Sequence, residues 1–277
     1  HCQVKAPSDC DFAGLFRQRR ARRILFALGA LLPAAMPAAT GAQFRSVVVH
    51  VGERTSEAEG NVAALLAERL VEAGNVPVGV SDTTSPAPTS PTELIVLLGV
   101  PENHAQLRAR FADQRLAPLT DLSPGPEGFL LQTVPHTRGG VLLLAGRDAR
   151  GLLYGVGELL RQVRVRGDIL ELPDDLTVRS SPAFEVRGTQ FGQSGVALNR
   201  AKVRPWTEAD RRRAVLDLAL AGLNTVEVGA GVRADDPLYR LLKSFDLKTL
   251  VHYSANAGDG PPEWRASESI GRQGYLC

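Results

Sequence analysis

From Phe44 onward, short apolar runs alternate with stretches whose apolar residues recur at helical spacing, and this rhythm restricts the fold more than any other feature. Ser46–Val51, Val76–Val80, Glu93–Gly99, Gly128–Val134 and Gly140–Ala145 read as strands. Ser56-Glu-Ala-Glu59 has the form of a capping box opening a helix, with Val62, Leu65, Leu66 and Leu70 on one face and Gly74 at its end. Pro101–Ala112 reads as a shorter helix, Leu107 and Phe111 being four residues apart, and Thr83–Pro91 is a loop by composition. The runs flanking Pro135–Gly139 are expected to pair antiparallel. The fold class is therefore α/β, a mixed sheet with helices packed against it.

The stretch from Leu142 to Leu160 carries an apolar strand into a glycine-studded helix, a place where α/β proteins often hold phosphate. Leu152, Leu153, Val156, Leu159, Leu160 and Val163 line one helical face, and Asp148 stands at the N-cap. A carboxylate there occupies the anion position itself. Gly146-Arg-Asp-Ala-Arg-Gly151 also lacks the second glycine of a dinucleotide fingerprint, and Leu152-Leu153 stand where a P-loop needs Lys and Ser or Thr. No nucleotide and no other cofactor is expected. Gly151 and Gly155, one turn apart, suit close approach of this helix to a neighbouring surface.

Beyond a short strand at Asp168–Leu172, residues 173–183 have linker chemistry, so 43–172 reads as one α/β domain. The rhythm then becomes plain βα repetition: strand Phe184–Gly188, helix Thr207–Ala221, strand Asn224–Val228, helix Pro237–Phe245, strand Leu247–Tyr253. Residues 184–257 thus resemble the opening of a (β/α)8 TIM barrel, which needs about 250 residues when closed. An incomplete barrel is expected, with the edge of Leu247–Tyr253 open to pairing. Residues 258–277 show no periodicity, and the chain begins without Met, so it reads as a fragment.

The ends differ in charge from the middle. Arg17, Arg19, Arg20, Arg22 and Arg23 precede the apolar Ile24–Leu32 and the small residues Ala39–Ala42, the pattern of a secretory signal within residues 1–42. The apolar run is short for a bilayer span, a membrane anchor being the alternative; after cleavage no stable span is expected, and export to periplasm or medium is. With Lys5 against Asp9 and Asp11, this region holds +4 of the chain's total of +2, leaving −2 for the rest. That balance offers no footprint for nucleic acid. Cys2, Cys10 and Cys277 lie outside the patterned region, and His50, His104 and His136 stand isolated in sequence, so no metal site is expected.

Three segments carry a family resemblance: Glu127-Gly-Phe-Leu-Leu-Gln132, then Leu143 through Gly155 with Asp148, Arg150, Gly151, Tyr154 and Gly155 at its heart, then Pro182-Ala-Phe-Glu-Val-Arg-Gly188. Together they resemble the non-catalytic α/β domain that precedes the barrel in xylan-debranching α-glucuronidases and β-N-acetylhexosaminidases, over roughly Phe44–Ala257. The resemblance implies a hexosaminidase domain 2-like accessory domain buttressing a catalytic barrel, with the five residues named as structural. Ala221-Gly-Leu-Asn224 is similar to the glucuronidase branch. Arg187-Gly-Thr-Gln-Phe191 lacks the acidic residue expected of either.

The function implied by this resemblance is hydrolysis of an oligo- or polysaccharide, α-glucuronidase-like or β-N-acetylhexosaminidase-like, by carboxyl groups on later strands. The chain itself is then expected to hydrolyse nothing. A non-catalytic carbohydrate-binding or scaffolding module is the reading from another class, and a Rossmann-like oxidoreductase a third. The resemblance implies sugar contact for Arg187, with a structural arginine on backbone as the equal alternative. Glu227 and His252 are candidate pocket residues, against a rim salt bridge for the first and packing for the second.

Overall fold

The computed structural model describes residues 41–82, 87–134, 136–190, 206–229, 234–253 and 274–276, with backbone alone at 190, 229, 251–253 and 274–276. Residues 1–40, nearly all of the expected leader, lie outside these. Among the described residues no helix is long and apolar enough to cross a membrane.

The apolar run Leu94–Gly99 is buried throughout because it forms the middle of a sheet covered on both faces. In this strand, β4 (Glu93–Gly99), Leu94, Val96 and Leu98 face one core while Ile95 and Leu97 face the other. Its neighbours β2 (Ser46–Val51) and β6 (Gly140–Gly146) are parallel to it, and β3 (Val78–Ser81) lies parallel beyond β2. On the far side, β5 (Phe129–Val134) runs antiparallel to β6, and β9 (Thr177–Ser180) antiparallel to β5. The result is a mixed six-stranded sheet.

Helices α1 (Glu57–Ala73) and α3 (Ala149–Gln162) cover one face of this sheet, and α2 (Ala105–Asp113) the other. Ser56 caps α1 by accepting from the Glu59 amide, but the Glu59 carboxylate does not reach back to close the box; it turns inward to Asn103. The expected helix over Pro101–Ala112 divides. Pro101–Asn103 is a 3-10 turn, and His104 then caps α2 through its ring, Nδ1 accepting from the Leu107 amide at 3.3 Å.

Two further corrections concern short, polar strands. A three-stranded sheet joins β1 (Ala42–Phe44), β7 (Arg164–Arg166) and β8 (Ile169–Leu172), all antiparallel. Residues 173–183, read as linker, contain β9; as an edge strand of half-buried and exposed residues it shows no apolar alternation.

The second sheet holds β10 (Gly188–Gln190), β11 (Thr225–Gly229) and β12 (Lys248–Tyr253) in parallel, connected through α4 (Glu208–Leu220) and α5 (Pro237–Ser244). The first of these strands starts later than Phe184, because Phe184 and Val186 are 74% and 58% exposed and contribute nothing to a core. The β12 edge is covered rather than open: β13 (Gly274–Leu276), from the stretch without periodicity, pairs antiparallel with it. Among the described residues this is an open four-stranded sheet, not a closed barrel.

No gap separates the two sheets. Val215, Leu216, Ala219 and Leu220 of α4, Val226 and Val228 of β11, and Leu242 of α5 belong to the same buried cluster as Leu152, Val156 and Leu159 of α3. Ion pairs add to this seam: Arg69 of α1 meets Asp217 at 2.8 Å, and Arg212 grips Glu68 with both terminal nitrogens at 2.9 and 2.8 Å. The closest approach is at Gly157, where an added Cβ would lie 1.9 Å from the Leu220 carbonyl oxygen. Gly157→Ala should therefore cost roughly 1–3 kcal/mol by forcing α3 and α4 apart, in spite of alanine's better helix propensity. Gly79→Ala, with nothing within 4 Å of its new methyl, should stay within about 1 kcal/mol of the parent. Urea denaturation midpoints measure both, and equal midpoints would contradict the helix contact.

Candidate functional site

The densest polar arrangement in the structure centres on one carboxylate, Glu127, whose side chain is only 7% exposed. It sits in the turn before β5, held there by its amide, which donates to Asp148 Oδ2 at 3.0 Å. Asp148 Oδ1 meanwhile accepts from the Gly151 amide at 2.8 Å, so one side chain caps α3 and fixes the turn beside it. Gly151 is required because the Gly128 carbonyl oxygen would stand 2.2 Å from a Cβ. Gly155 lets α3 settle on the sheet, its Cβ position being 2.9 Å from Leu144.

Four donor groups converge on the Glu127 carboxylate and make five hydrogen bonds to it. Oε1 accepts from Arg150 Nε at 2.8 Å, Oε2 from Arg187 Nη2, and the Asn224 amide group spans both oxygens at 3.1 Å. The Tyr154 hydroxyl lies 3.4 Å from Oε2 and accepts from Arg187 Nη2 at 2.9 Å. Burial alone would raise the carboxyl pKa; the hydrogen bonds from Arg187 and Asn224 and the charge of Arg150 outweigh it and hold the group below the usual carboxylate range. Burial pushes the Tyr154 hydroxyl up, with the Glu127 charge adding to it, so it stays protonated. A carboxylate so fully engaged neither donates a proton nor has a lone pair to spare for a substrate. It is a clamp.

What the clamp holds is the second sheet, at one end only. Arg187 immediately precedes β10, and its backbone amide donates to Asn224 Oδ1 at 3.0 Å. Asn224 precedes β11 and donates to the Glu185 carbonyl at 2.7 Å. Arg150 reaches across to the residue pair before β12, donating to the Asp246 carbonyl at 2.7 Å and its carboxylate at 2.8 Å. Glu127 and Asp246 both have left-handed backbone, φ 56 in each case, a conformation non-glycine residues hold only under compulsion. Arg150 bridges these two strained positions.

The amino-terminal ends of β10, β11 and β12 are thereby fixed. In parallel βα sheets the ligand sites lie at the opposite, carboxyl ends. Arg187 lies at the amino end and makes the backbone contacts of the structural alternative: its Nε donates to the Gly222 carbonyl at 2.5 Å, Nη1 to the Phe184 carbonyl, and its guanidinium lies 5.2 Å from the Tyr154 ring centroid. Glu227 is elsewhere. Val226 and Val228 enter the helix-packed core, so alternation turns Glu227 to the other face of β11, beside Gln190 and Leu250 in register. His252 pairs in register with Gly229 near the carboxyl end of β12; its side chain lies outside the described atoms. Glu127 and Asn224 received no role from the sequence, though both stand in segments that carry the resemblance.

His50 and His104, isolated in sequence, are neighbours in space, with Nδ1 of one 3.2 Å from Nε2 of the other and both rings buried. Because His104 Nδ1 accepts from an amide, its proton belongs on Nε2, which faces the His50 carbonyl at 3.3 Å. Burial and the neighbouring His50 lower its pKa to about 4. No group of three or more acidic, His or Cys side chains fit for a metal occurs among the described residues.

No family profile matches the chain, and no curated protein does. Solved structures do. A family GH115 4-O-methyl-α-glucuronidase with specificity for decorated arabinogalactans is similar at TM-score 0.51 and 15% identity, over 74% of this chain and 28% of that one. A family GH20 exo-β-N-acetylglucosaminidase from Vibrio harveyi matches at TM-score 0.42 and 14% identity, over 68% of this chain and 23% of that chain. Another family GH20 β-N-acetylglucosaminidase matches at 0.42 and 16%, over 81% and 43%. The chain spans about a third of the length of the solved structures it matches. The fold is thus similar to part of a glycoside hydrolase.

The clamp and the buried histidine pair each make a prediction. Glu127→Gln leaves two guanidiniums facing a neutral group and should cost roughly 3 kcal/mol, the low end for a broken buried pair because both arginines keep some solvent. Hydrogen exchange should then rise in β10, β11 and β12 before it rises in β2, β4 and β6; a uniform rise would contradict the clamp. The second prediction concerns acid. His104 is neutral when folded down to about pH 4, whereas an unfolded histidine charges near pH 6.5, so stability falls as pH drops through that window. His104→Asn, which keeps the cap, should flatten the fall. Glu127, depressed when folded, contributes stability present above the ordinary carboxylate pKa and lost as pH falls below it. Melting temperatures from pH 7 to pH 3 for parent and variant would separate the two.

Proposed function

We propose that the chain forms the buttressing α/β layer and first parallel strands of an exported glycoside hydrolase of the α-glucuronidase type, active on a polysaccharide that bears uronic acids. The observation that carries this reading is the placement of the clamp. Glu127, Arg150, Tyr154, Arg187 and Asn224 bind every parallel strand of the second sheet at its amino end, which leaves the carboxyl ends, with Glu227 and His252, for ligand. The similar fold of a 4-O-methyl-α-glucuronidase supports the choice of branch, as does the similarity of Ala221-Gly-Leu-Asn224 to that branch, and the basic and apolar run within 17–42 supports export. A hexosaminidase-type enzyme is the alternative within the same class.

Glycoside hydrolysis needs two carboxyl groups, or one and the substrate's own amide, poised across the scissile bond. Among the described residues Glu227 is the one carboxylate on the inward face of the parallel strands. One group on this face positions a sugar hydroxyl; it does not complete a catalytic pair. The 43–277 protein is therefore expected to bind without turnover. Aldouronic acids should shift the amide resonances of Glu227, Gly229, Leu250 and His252, and Glu227→Gln should weaken the effect. Aryl glucuronides and aryl N-acetylhexosaminides should stay intact. Shifts produced by N,N′-diacetylchitobiose in place of aldouronic acids would favour the hexosaminidase branch, and shifts produced by NAD or ATP alone would sink the glycosidase reading.

A further inference from the structure

The six-stranded sheet has a carboxyl edge of its own. After β2, β4 and β6 the chain turns at 52–56, 100–104 and 147–148, and these turns border a recess of about 540 Å³ whose opposite wall is the end of α5, Lys243 to Asp246. Open α/β sheets hold ligands in this crevice beyond the strand ends, and the volume lies in the range of small-molecule sites.

Two side chains of the recess have unmet hydrogen-bonding capacity. Glu59, 3% exposed, gives Oε1 to the Asn103 amide at 2.7 Å, but Oε2 has no hydrogen-bond partner. Arg147 Nε lacks one as well, although Asp121 stands at ion-pair distance, 3.2 Å, without hydrogen-bond geometry. A buried polar atom left in this way is costly, and burial raises the Glu59 carboxyl pKa accordingly. An orphan acceptor and an orphan donor bordering one recess are matched by a hydroxyl, which donates to the first and accepts from the second. Neither atom is open to bulk water, so the match requires both side chains to turn outward when the ligand binds.

The remaining lining selects the ligand class. Glu57 and Asp148 repel an anion from the helix starts, and no acidic cluster suited to a metal exists among the described residues. Lys243 and Arg147 interleave with these acids, a mixed-sign surface that satisfies many hydroxyls at once. An adjoining recess, sharing Glu57, Lys243 and Ser244, adds Tyr239, with the Lys243 ammonium 5.3 Å from its ring centroid. At the rim of the groove such a ring offers an apolar body and a polar tip, a match for the C–H side and the hydroxyls of a pyranose. We propose that this groove binds a neutral sugar unit, as a second carbohydrate subsite separate from the carboxyl ends of β10, β11 and β12.

The test is a titration of the 43–277 protein with xylotriose and with N,N′-diacetylchitobiose, followed by calorimetry and amide resonances, with sodium sulfate and calcium chloride as ionic controls. At least one neutral sugar should shift the amides of Ser56 to Glu59, Asn103 and Tyr239 to Ser244. Glu59→Gln and Tyr239→Ala should each weaken its Kd by about tenfold or more, and Tyr239→Ala, at a half-buried site, should melt with the parent. No shift at these amides, unchanged affinity in both variants, or shifts caused by sulfate or calcium instead, would overturn the subsite. Sugar-dependent shifts confined to β10–β12 would overturn it while leaving the proposed function intact; shifts confined to the groove would do the reverse.

Discussion

A single carboxylate with two guanidiniums, an amide and a phenol around it decides how the two sheets meet. The turn that carries Glu127 adopts left-handed backbone, the Asp148 side chain ties that turn to the start of α3, and three strands from a second sheet are hung from the result. Taking a charge out of water is expensive, and such an arrangement persists only when every lone pair is met. Here they are met from residues scattered between 150 and 224, so the interaction specifies geometry as much as stability. The ion pairs between α1 and α4, by contrast, are mostly half-exposed and contribute less each.

Packing completes what the clamp orients. Helices α1 and α3 serve two masters, the first sheet on one side and α4 with α5 on the other. That double duty explains why α3 is glycine-rich on more than one face: Gly151 admits the turn before β5, Gly155 the sheet, and Gly157 the last turn of α4. Each is a place where a backbone or side chain of a different element comes too near for a methyl group.

The central strands were legible in the sequence because a strand buried on both faces must be apolar at every position, as Leu94–Leu98 and Val141–Ala145 are. Helix caps at Ser56 and Asp148 were legible for a similarly local reason. Edge strands were not: β7, β9 and β13 are three or four residues long with one or two apolar residues each, and only a partner strand makes them strands. The clamp was half legible. Its members fall in the very segments whose spacing resembles a family, yet nothing local says that Glu127 and Asn224, 97 positions apart, touch. Arg187 shows the cost of this gap, since an arginine near a strand end suits a sugar or a carboxylate equally until the strand's direction is known. Glu59 shows another, because a capping-box pattern conceals an acid that turns inward.

The separation in sequence between the clamp's two halves also orders the birth of the molecule. Glu127, Arg150 and Tyr154 leave the ribosome well before Arg187 and Asn224, and by then β2, β4, β6 and all three covering helices have been made. The first sheet can therefore close over its own core while the second is still being synthesised. Three parallel strands, slow to pair by themselves because their contacts are distant along the chain, then meet a finished surface that fixes where each must begin.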